Sequence, residues 1–547
     1  MLATIKTFSA LTEEFVECVM RHNPVVATEV GIHDYDHKLP DDSPDGFRER
    51  SAWLRDLEQR LVASVPWEEL PPAQRIDYAL LRSRIASMRA DLEEIKVHAH
   101  NPSLYPEMAL RGLYILMTRP FAPLEERKEA VLARMMAIPD YLTAAQANLT
   151  RIPELFIEIG SEVSGTGPEF VDGTMQSLRA SFPGEAERIE EAARRARMGF
   201  AQYQDFLDHE ARKRVGGTFA IGERWMNFKL EREHLLTMNC AALEAFGREH
   251  VERTRGQLEQ EAKKIDPNKT WRDLVEVARR RHPEPGKLRE AYVAECTRAR
   301  KFVEEKRLVP IPAGQLEIID TPLFERSMIP YAQYLQPGPF DEEPIGYFHV
   351  TPVDLGKKKE EQEEQIQGHN YVALSLTSVH EAWPGHHLQL LHAINAGSRL
   401  RRLADSPVFA EGWALYCEEL MVEQGFHLEP LARLYQLKDL LWRACRVVID
   451  VGLHTGTMSH PQAVEYLVDQ AMVERVNAEG EVRRYTMTPT QPMSYLVGKH
   501  QLLEIRDEVK SRLGKRFNLY DFHKALLGCG TVPPALARME LEEQLRA

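Results

Sequence analysis

The sequence contains few cysteines, and their spacing is not that of a metal site or a disulfide framework. Only six occur in 547 residues, at Cys18, Cys240, Cys296, Cys417, Cys445 and Cys529. No Cys-x-x-Cys pair is present among them. This absence argues against a cysteine-ligated metal and against structural disulfides. It favours reduced thiols in a reducing compartment.

The sequence also lacks a long apolar run. No segment approaches the roughly 18 consecutive apolar residues that a transmembrane helix requires. At the N-terminus, the acidic pair Glu13-Glu14 arrives before any signal-like apolar segment has formed. We therefore expect a cytoplasmic protein that has no membrane partner.

A basic surface stripe is missing as well. The formal net charge is −14, and Lys and Arg do not recur along one face of any predicted helix. Nucleic-acid binding is therefore disfavoured. The composition, 43% hydrophobic and 28% charged residues, is that of a soluble globular protein and not of a disordered one. An acidic surface mildly favours cationic ligands by electrostatic steering, without identifying one.

Amphipathic helical patterns fill most of the chain. Apolar residues recur at helical spacing, with charged residues on the opposite face, over residues 53–63, 73–95, 124–138, 185–213, 223–262 and 286–307, and again from Tyr371 to the C-terminus. Prolines such as Pro139 predict breaks or kinks. Only two segments, 315–320 and 346–352, have the composition of short strands. The sequence therefore predicts a mainly α fold with one small β element.

One segment contains an unusual density of metal-binding groups. It is Ser378-Val379-His380-Glu381-Ala382-Trp383-Pro384-Gly385-His386-His387-Leu388-Gln389. Neutral imidazole is the commonest protein ligand for metal ions, and a glutamate directly after a ligand histidine suits a base that acts on metal-bound water. The alternative is a helix end that places three histidines on a polar surface.

The spacing within this segment excludes a regular helix around one ion. In an H-E-x-x-H helix the two histidines are four residues apart on one face, but the residue four after His380 is Pro384. His386 would lie about 120° from the face of His380, and His387 about 10 Å further along the helix. Pro384 and Gly385 together favour a local bulge. Removing these two residues restores the H-E-x-x-H pattern, so we predict His380 and His386 as ligands and keep His387 as the alternative second histidine.

A third ligand is predicted in a helical segment that follows. Phe409, Trp413, Tyr416 and Leu420 recur along one helical face, and Glu411 lies on the opposite face beside small and apolar residues. A carboxylate buried there without a partner would be costly, which indicates a cation facing it. The alternative is a first-turn glutamate that complements the helix dipole. Nitrogen and oxygen ligands with one open position are typical of catalytic zinc, so we predict one zinc ion held by the two histidines and Glu411.

Four ordered motifs can be compared with a known family. They are His380-Glu381-Ala382-Trp383-Pro384-Gly385-His386-His387-Leu388-Gln389, then Glu411-Gly412-Trp413-Ala414-Leu415-Tyr416, then Arg446-Val447-Val448-Ile449-Asp450-Val451-Gly452-Leu453-His454, and finally Arg484-Tyr485 with Gln491 and Ser494-Tyr495. Together they resemble the DUF885 proteins, a family allied to the gluzincin metallopeptidases. The resemblance extends more weakly from about Pro24 to the C-terminus. The chain departs from the family pattern at Pro489-Thr490-Gln491-Pro492, where Pro-Gly-Gln is usual.

The resemblance implies a two-lobed helical body like that of a metallopeptidase. We place a provisional boundary near residue 310, between an N-terminal helical lobe (residues 1–310) and a metal-bearing catalytic lobe (residues 311–547), with one integrated domain as the alternative. In gluzincin-like enzymes a small sheet beside the metal helix binds the substrate backbone as an added strand. The resemblance thus implies substrate contacts for Tyr347 and His349, whereas a hairpin that closes the core is the alternative.

Peptide hydrolysis at a single zinc needs a base and a donor for the developing oxyanion. We predict Glu381 as the base, because it neighbours a ligand without needing to be one. His454 and Tyr495 are the candidate donors, and Asp450, four residues before His454, could orient the imidazole. The alternative for both donors is a packed core side chain.

Three arginines are candidates for binding a substrate carboxylate through a guanidinium fork. They are Arg446, Arg484 and Arg506. One of them meeting a peptide C-terminus would indicate carboxypeptidase or dipeptidase action, whereas structural salt bridges are the alternative. His387 joins these candidate substrate contacts if it is not a metal ligand.

These features favour a zinc metallopeptidase that cleaves short peptides, with Glu381 activating a zinc-bound water. One alternative is a metal-dependent amidase or esterase acting on a non-peptide substrate. The other is a non-catalytic helical binding protein, which would have no need of a base beside its ligands. The expected partner is a short peptide or small amide, with no nucleic acid and no membrane, and the sequence specifies no oligomeric state.

Overall fold

The computed structural model describes residues 2–326, 329, 331–427 and 429–546. The chain is mainly helical and contains one small sheet, which confirms the predicted fold class. It forms two compact units. The first comprises Met1–Phe219, Leu323–Glu325 and Gly338–Glu343, and the second comprises Ala220–Pro322, Arg326–Pro337 and Pro344–Ala547.

The first unit is built from amphipathic helices. They are α1 Leu2–His22, α2 Pro24–Glu29, α3 Pro44–Ser64, α4 Pro72–Ala90, α5 Val97–His100, α6 Leu104–Thr118, α7 Leu124–Gln146, α8 Glu154–Ser181 and α9 Ala186–His209. Helix α9 packs against α7 and α8. The approach to α7 is close, because a Cβ atom on Gly199 would lie 2.9 Å from the Cα of Pro139. Helix α7 continues through Pro139, where the sequence predicted a break or kink.

The second unit contains the remaining helices. They are α10 Glu223–Phe228, α11 Cys240–Ile265, α12 Trp271–Arg279, α13 Leu288–Lys306, α14 Lys359–Gln367, α15 Tyr371–Glu381, α16 His386–Ala393, α17 Arg399–Arg402, α18 Pro407–Glu423, α19 Pro430–Thr455, α20 His460–Ala471, α21 Arg475–Met487, α22 Ser494–Leu513, α23 Leu519–Gly528 and α24 Pro534–Arg546. None of the described helices combines the length and the apolar character that crossing a lipid bilayer requires.

The sheet has three strands, β1 Gln315–Asp320, β2 Ala332–Leu335 and β3 Ile345–Val350, in the order β1-β3-β2. Strand β3 pairs with β1 in parallel and with β2 antiparallel. All six residues of β3 are buried, including Tyr347 and His349. The sequence predicted β1 and β3 but missed β2, because four residues within a proline-rich segment give too short a pattern to recognise.

The compact units divide after Phe219, whereas the sequence placed a provisional boundary near residue 310. The change of composition at residue 310 marks the start of the sheet. Helix α11 lies before that point but packs along α19 in the second unit. The two helices are in close contact, since a Cβ atom on Gly247 would lie 2.9 Å from a methyl group of Val447.

Helices α18 and α22 pack backbone against backbone. A Cβ atom on Gly412 of α18 would lie 2.4 Å from the carbonyl carbon of Gly498 on α22, and one on Gly498 would lie 1.8 Å from the carbonyl oxygen of Val408. Only residues without a side chain allow this approach. The glycine pair therefore allows the two helices that carry Glu411 and Tyr495 to pack in close contact.

We expect Gly498→Ala to lower the free energy of unfolding by about 1–3 kcal/mol, because the added methyl group overpacks a backbone contact. Gly256→Ala is the matched control, since Gly256 lies inside α11 with no atom within 4 Å of an added Cβ. That variant should gain about 0.4–1 kcal/mol. Denaturant titration of the three proteins measures both effects. Equal stability of Gly498→Ala and the wild type would contradict the close approach of α18 and α22.

Candidate metal centre

The histidine-rich segment is divided between two helices. Helix α15 ends at Glu381 and α16 begins at His386, so the proline and glycine end one helix instead of forming a bulge within a continuous one. Gly385 lies so close to the preceding turn that a Cβ atom would be 1.9 Å from the carbonyl oxygen of His380. This tight connection returns the chain to the end of α15, so that the imidazole rings of His380 and His386 lie 4.9 Å apart, at 85° to one another.

The two histidines and Glu411 converge on one point. The Nε2 atom of His386 lies 3.1 Å from Oε2 of Glu411, and Nε2 of His380 lies 3.4 Å from the same oxygen. One ligand atom from each residue lies within 4.8 Å of the others. In tetrahedral zinc sites with bonds near 2 Å, ligand atoms are about 3.4 Å apart. The three side chains therefore suit a single zinc ion in donor type, spacing and burial.

His387 faces a different part of the second unit. It is fully buried, and its Nδ1 atom lies 2.7 Å from the hydroxyl of Tyr334. Its ring stands edge-on to Trp383, with the ring centroids 4.6 Å apart. The structure thus places His386, and not the alternative His387, beside Glu411.

A second carboxylate on α18 holds the other nitrogen of His380. The Nδ1 atom of His380 lies 2.8 Å from Oε1 of Glu418. Glu418 is 1% exposed, and the same oxygen lies 3.7 Å from Nη2 of Arg443. Donation from Nδ1 to this carboxylate leaves Nε2 free to face a metal, an arrangement that orients ligand histidines generally. Sequence reasoning missed Glu418. The seven-residue spacing from Glu411, two helical turns on the same face, was the available signal.

The electrostatics of this cluster stabilise positive charge on His380 and negative charge on Glu411. Burial by itself lowers the pKa of His380, but hydrogen bonds to Glu411 and Glu418 raise it to about 9. Burial opposes ionisation of Glu411, yet His386 and His380 hold the pKa of its carboxyl well below the usual value. Burial raises the pKa of Glu381, against the attraction of the two histidines. A carboxyl with a raised pKa is a suitable proton acceptor near neutral pH.

Tyr495 lies against the candidate ligands. Its ring is stacked with that of His380 at 6.0 Å and 18°, and the residue is 7% exposed. Gln491 donates from Nε2 to Oε1 of Glu411 at 3.3 Å and to the Tyr495 hydroxyl at 3.4 Å. The tyrosine hydroxyl can therefore still donate its own proton into the cavity.

His454 occupies a different position. It is fully buried, and its Nε2 atom donates to the carbonyl oxygen of Tyr485 at 2.9 Å. The predicted partner Asp450 lies 3.9 Å away and instead accepts the backbone N–H groups of Thr490 and Met493. Burial raises the pKa of Asp450 to about 7, against those two bonds. The contacts of His454 are those of a core residue that fixes the backbone of α21.

A cavity of about 450 Å³ opens beside the cluster, within the range of small-molecule sites. Of the predicted residues, those that line it are His380, Glu381, His386, Glu411, Arg446, Arg484 and Tyr495. The described residues that line the cavity do not include His387, Tyr347, His349, His454 or Arg506. The sheet contributes its edge strand β2, through Ala332, Gln333 and Tyr334. The guanidinium of Arg506 instead lies over the ring of Tyr416, 5.6 Å from its centroid.

Comparison with known proteins agrees with the sequence motifs. The sequence profile of DUF885, described as a bacterial protein of unknown function, matches residues 24–541. No match was found among curated proteins. A candidate lipoprotein of unknown function from Shewanella oneidensis has 25% identity and a TM-score of 0.79, over 98% of this chain and 99% of that one. A candidate lipoprotein from Colwellia psychrerythraea shares the fold, with 18% identity and a TM-score of 0.84 over 100% of both chains. The match over nearly the whole sequence shows that the chain belongs to the DUF885 family.

Proposed function

We propose that this protein is a metal-dependent hydrolase, and specifically a zinc metallopeptidase that cleaves short peptides. The convergence of His380, His386 and Glu411 on one point carries this proposal, because two imidazoles and a carboxylate are the ligand set of many catalytic zinc sites. Glu381 lines the same cavity. A His-Glu pair, a second histidine and a glutamate on a later helix also support an alliance with the gluzincin peptidases.

A zinc ion in this site supplies a Lewis acid that polarises the scissile carbonyl and acidifies water. Glu381 accepts the proton of the attacking water and then delivers it to the leaving amine. The hydroxyl of Tyr495 donates to the oxyanion that develops as the carbonyl is attacked. Glu418 acts indirectly, since its hydrogen bond to Nδ1 keeps the His380 ring oriented.

The dimensions and composition of the cavity favour a small polar substrate. About 450 Å³ accommodates a few residues of peptide. The wall presents polar edge-strand side chains and four arginines, Arg279, Arg443, Arg446 and Arg484. A metal-dependent amidase or esterase on a non-peptide substrate would use the same groups, and digestion of a peptide library separates the two.

We also propose a cytoplasmic location. All six cysteines are free thiols, and five of them are buried. Such a set suits a reducing compartment. The two similar solved structures carry the description of lipoproteins, and that description belongs to those proteins.

We expect the purified protein to hold about one zinc ion per chain. His380→Ala and His386→Ala should each abolish stoichiometric binding, because each removes one of three ligands. His387→Gln should retain the metal, since the His387 ring faces Tyr334. Elemental analysis of tag-free protein, after reconstitution with zinc, measures all four. Retention by His386→Ala together with loss in His387→Gln would assign the second ligand to His387.

Glu381→Gln preserves the shape of the side chain but removes its basic oxygen. We expect near-normal zinc content and a fall in peptide hydrolysis of about 10²-fold or more, the scale of general acid–base catalysis. Glu360→Gln, on the exposed face of α14, is the matched control and should hydrolyse at the wild-type rate. Parallel loss of metal and activity in Glu381→Gln would instead make Glu381 a ligand, and full activity would end the proposed mechanism.

Tyr495→Phe removes the hydroxyl that would bind the oxyanion. We expect kcat to fall about 10²-fold with little change in KM, because an oxyanion donor acts mainly in the transition state. Tyr466→Phe, on α20 and outside the described cavity lining, is the matched control. Steady-state kinetics on one peptide substrate compare the variants. A rise in KM alone would make Tyr495 a ground-state contact.

A further inference from the structure

Two arginines on the cavity wall share a single carboxylate. Nη2 of Arg446, on α19, donates to Oε2 of Glu481 at 2.7 Å, and Nη2 of Arg484, on α21, donates to the same oxygen at 2.9 Å. The hydroxyl of Tyr485 donates to it as well, at 2.6 Å. Arg446 is 3% exposed and Glu481 is 5% exposed. We call Arg446 and Arg484 the arginine pair, and Glu481 is the glutamate that they share.

This group has one more positive charge than negative. Burial would raise the pKa of Glu481, but Arg484 and Arg446 lower it to about 2, so the carboxylate is ionised. Two guanidinium cations therefore face one anion. The adjacent guanidinium of Arg443 is balanced separately, by Glu418 at 3.7 Å and Asp439 at 3.8 Å. Uncompensated charge in a buried position is costly, which favours an anionic ligand at the pair.

Several N–H groups of the arginine pair have no acceptor. Among the described residues, Nε and Nη1 of Arg446 and Nε of Arg484 are buried and make no hydrogen bond. Both side chains line the cavity. A buried donor without an acceptor loses its hydration and gains nothing in exchange. Unused donors beside a surplus charge are the features expected of a site for an anion that binds from the cavity.

Aromatic rings define the position of Arg446. Its guanidinium lies 4.5 Å from the ring centroid of Trp442, 4.5 Å from that of Tyr495 and 5.2 Å from that of Tyr485. These contacts hold the planar group in one orientation. Such an arrangement suits recognition of a small planar anion such as a carboxylate.

The arginine pair lies close to the candidate metal ligands. Tyr495 is near both, since its ring centroid is 4.5 Å from the Arg446 guanidinium and 6.0 Å from that of the His380 ring. The guanidinium is therefore at most about 11 Å from that imidazole, the span of about three extended residues. A carboxylate bound at Arg446 would belong to a substrate whose scissile bond is within a few residues of it.

We propose that Arg446 and Arg484 bind a carboxylate of the substrate, and that this group is the free C-terminus of a short peptide. The inference rests on the proposed peptidase function and narrows it to cleavage within about three residues of the C-terminus. An acidic side chain offers the same chemistry as a C-terminal carboxylate. The position of the carboxylate in the peptide therefore has to be varied in the test.

The test uses three tripeptides that differ in the presence and position of a carboxylate at the C-terminal residue. One is a free acid, the second is its C-terminal amide, and the third is a C-terminal amide with glutamate as its last residue. Isothermal titration calorimetry on Glu381→Gln protein measures binding without turnover, and kcat/KM on wild-type protein measures cleavage. We expect the free acid to be preferred over both amides by about 10- to 100-fold, the range for a hydrogen-bonded charge.

Arg446→Met and Arg484→Met should reduce this preference at least tenfold while leaving zinc content unchanged. Arg446→Lys keeps the charge and serves if the methionine variant does not fold. Arg506→Met is the matched control, because Arg506 also lies over a tyrosine ring but is not among the described lining residues. It should retain the preference for the free acid.

Each outcome decides the proposal. Equal binding and cleavage of all three peptides, or binding of none, would overturn the carboxylate site. If the third peptide were preferred over the second as strongly as the free acid is, the site would be reassigned to acidic side chains. Binding of the free acid by a protein that holds no zinc and cleaves nothing would keep the carboxylate site and reject the peptidase. Cleavage of all three peptides without preference would keep the peptidase and reject the carboxylate site.

Discussion

The burial of His380 between two carboxylates of one helix is the constraint on which the rest of the site depends. Glu411 lies at Nε2 and Glu418 at Nδ1, and both are on α18. Buried ionisable groups are tolerated only with partners in good geometry. The end of α15 must therefore lie against α18, and the tight connection at Gly385 then brings His386 to the same carboxylate.

Helix α19 supports both parts of the cavity. Arg443 reaches towards Glu418 behind the candidate ligands, and Arg446 contacts Glu481 at the arginine pair. One turn further on, Asp450 accepts two backbone N–H groups from the segment that precedes Tyr495. These two bonds help to position Tyr495, because they fix the backbone on either side of Gln491 and Pro492. The backbone of that segment is held from α19.

Much of the fold could be predicted because helices are encoded by local spacing. The patterns around residues 53–63 and 124–138 fall within α3 and α7. Predictions that needed distant contacts did less well. Strand β2 has only four residues and exists through its pairing with β3. Helix α11 packs along α19 within the second compact unit, a contact between distant segments that no change of composition reveals.

The sequence alone determined which residues could form a metal site, since a His-Glu pair, a helix-breaking Pro-Gly and a later buried glutamate are local features. Only the tertiary structure decided that His386 and not His387 faces Glu411, that Glu418 orients His380, and that His454 lies in the core. Only the tertiary structure, again, showed that Arg446 and Arg484 share a single carboxylate, that of Glu481. The reason is physical. Hydrophobic spacing sets which face of a helix is buried, whereas the partner of a buried polar group is chosen by helices that are distant in the sequence.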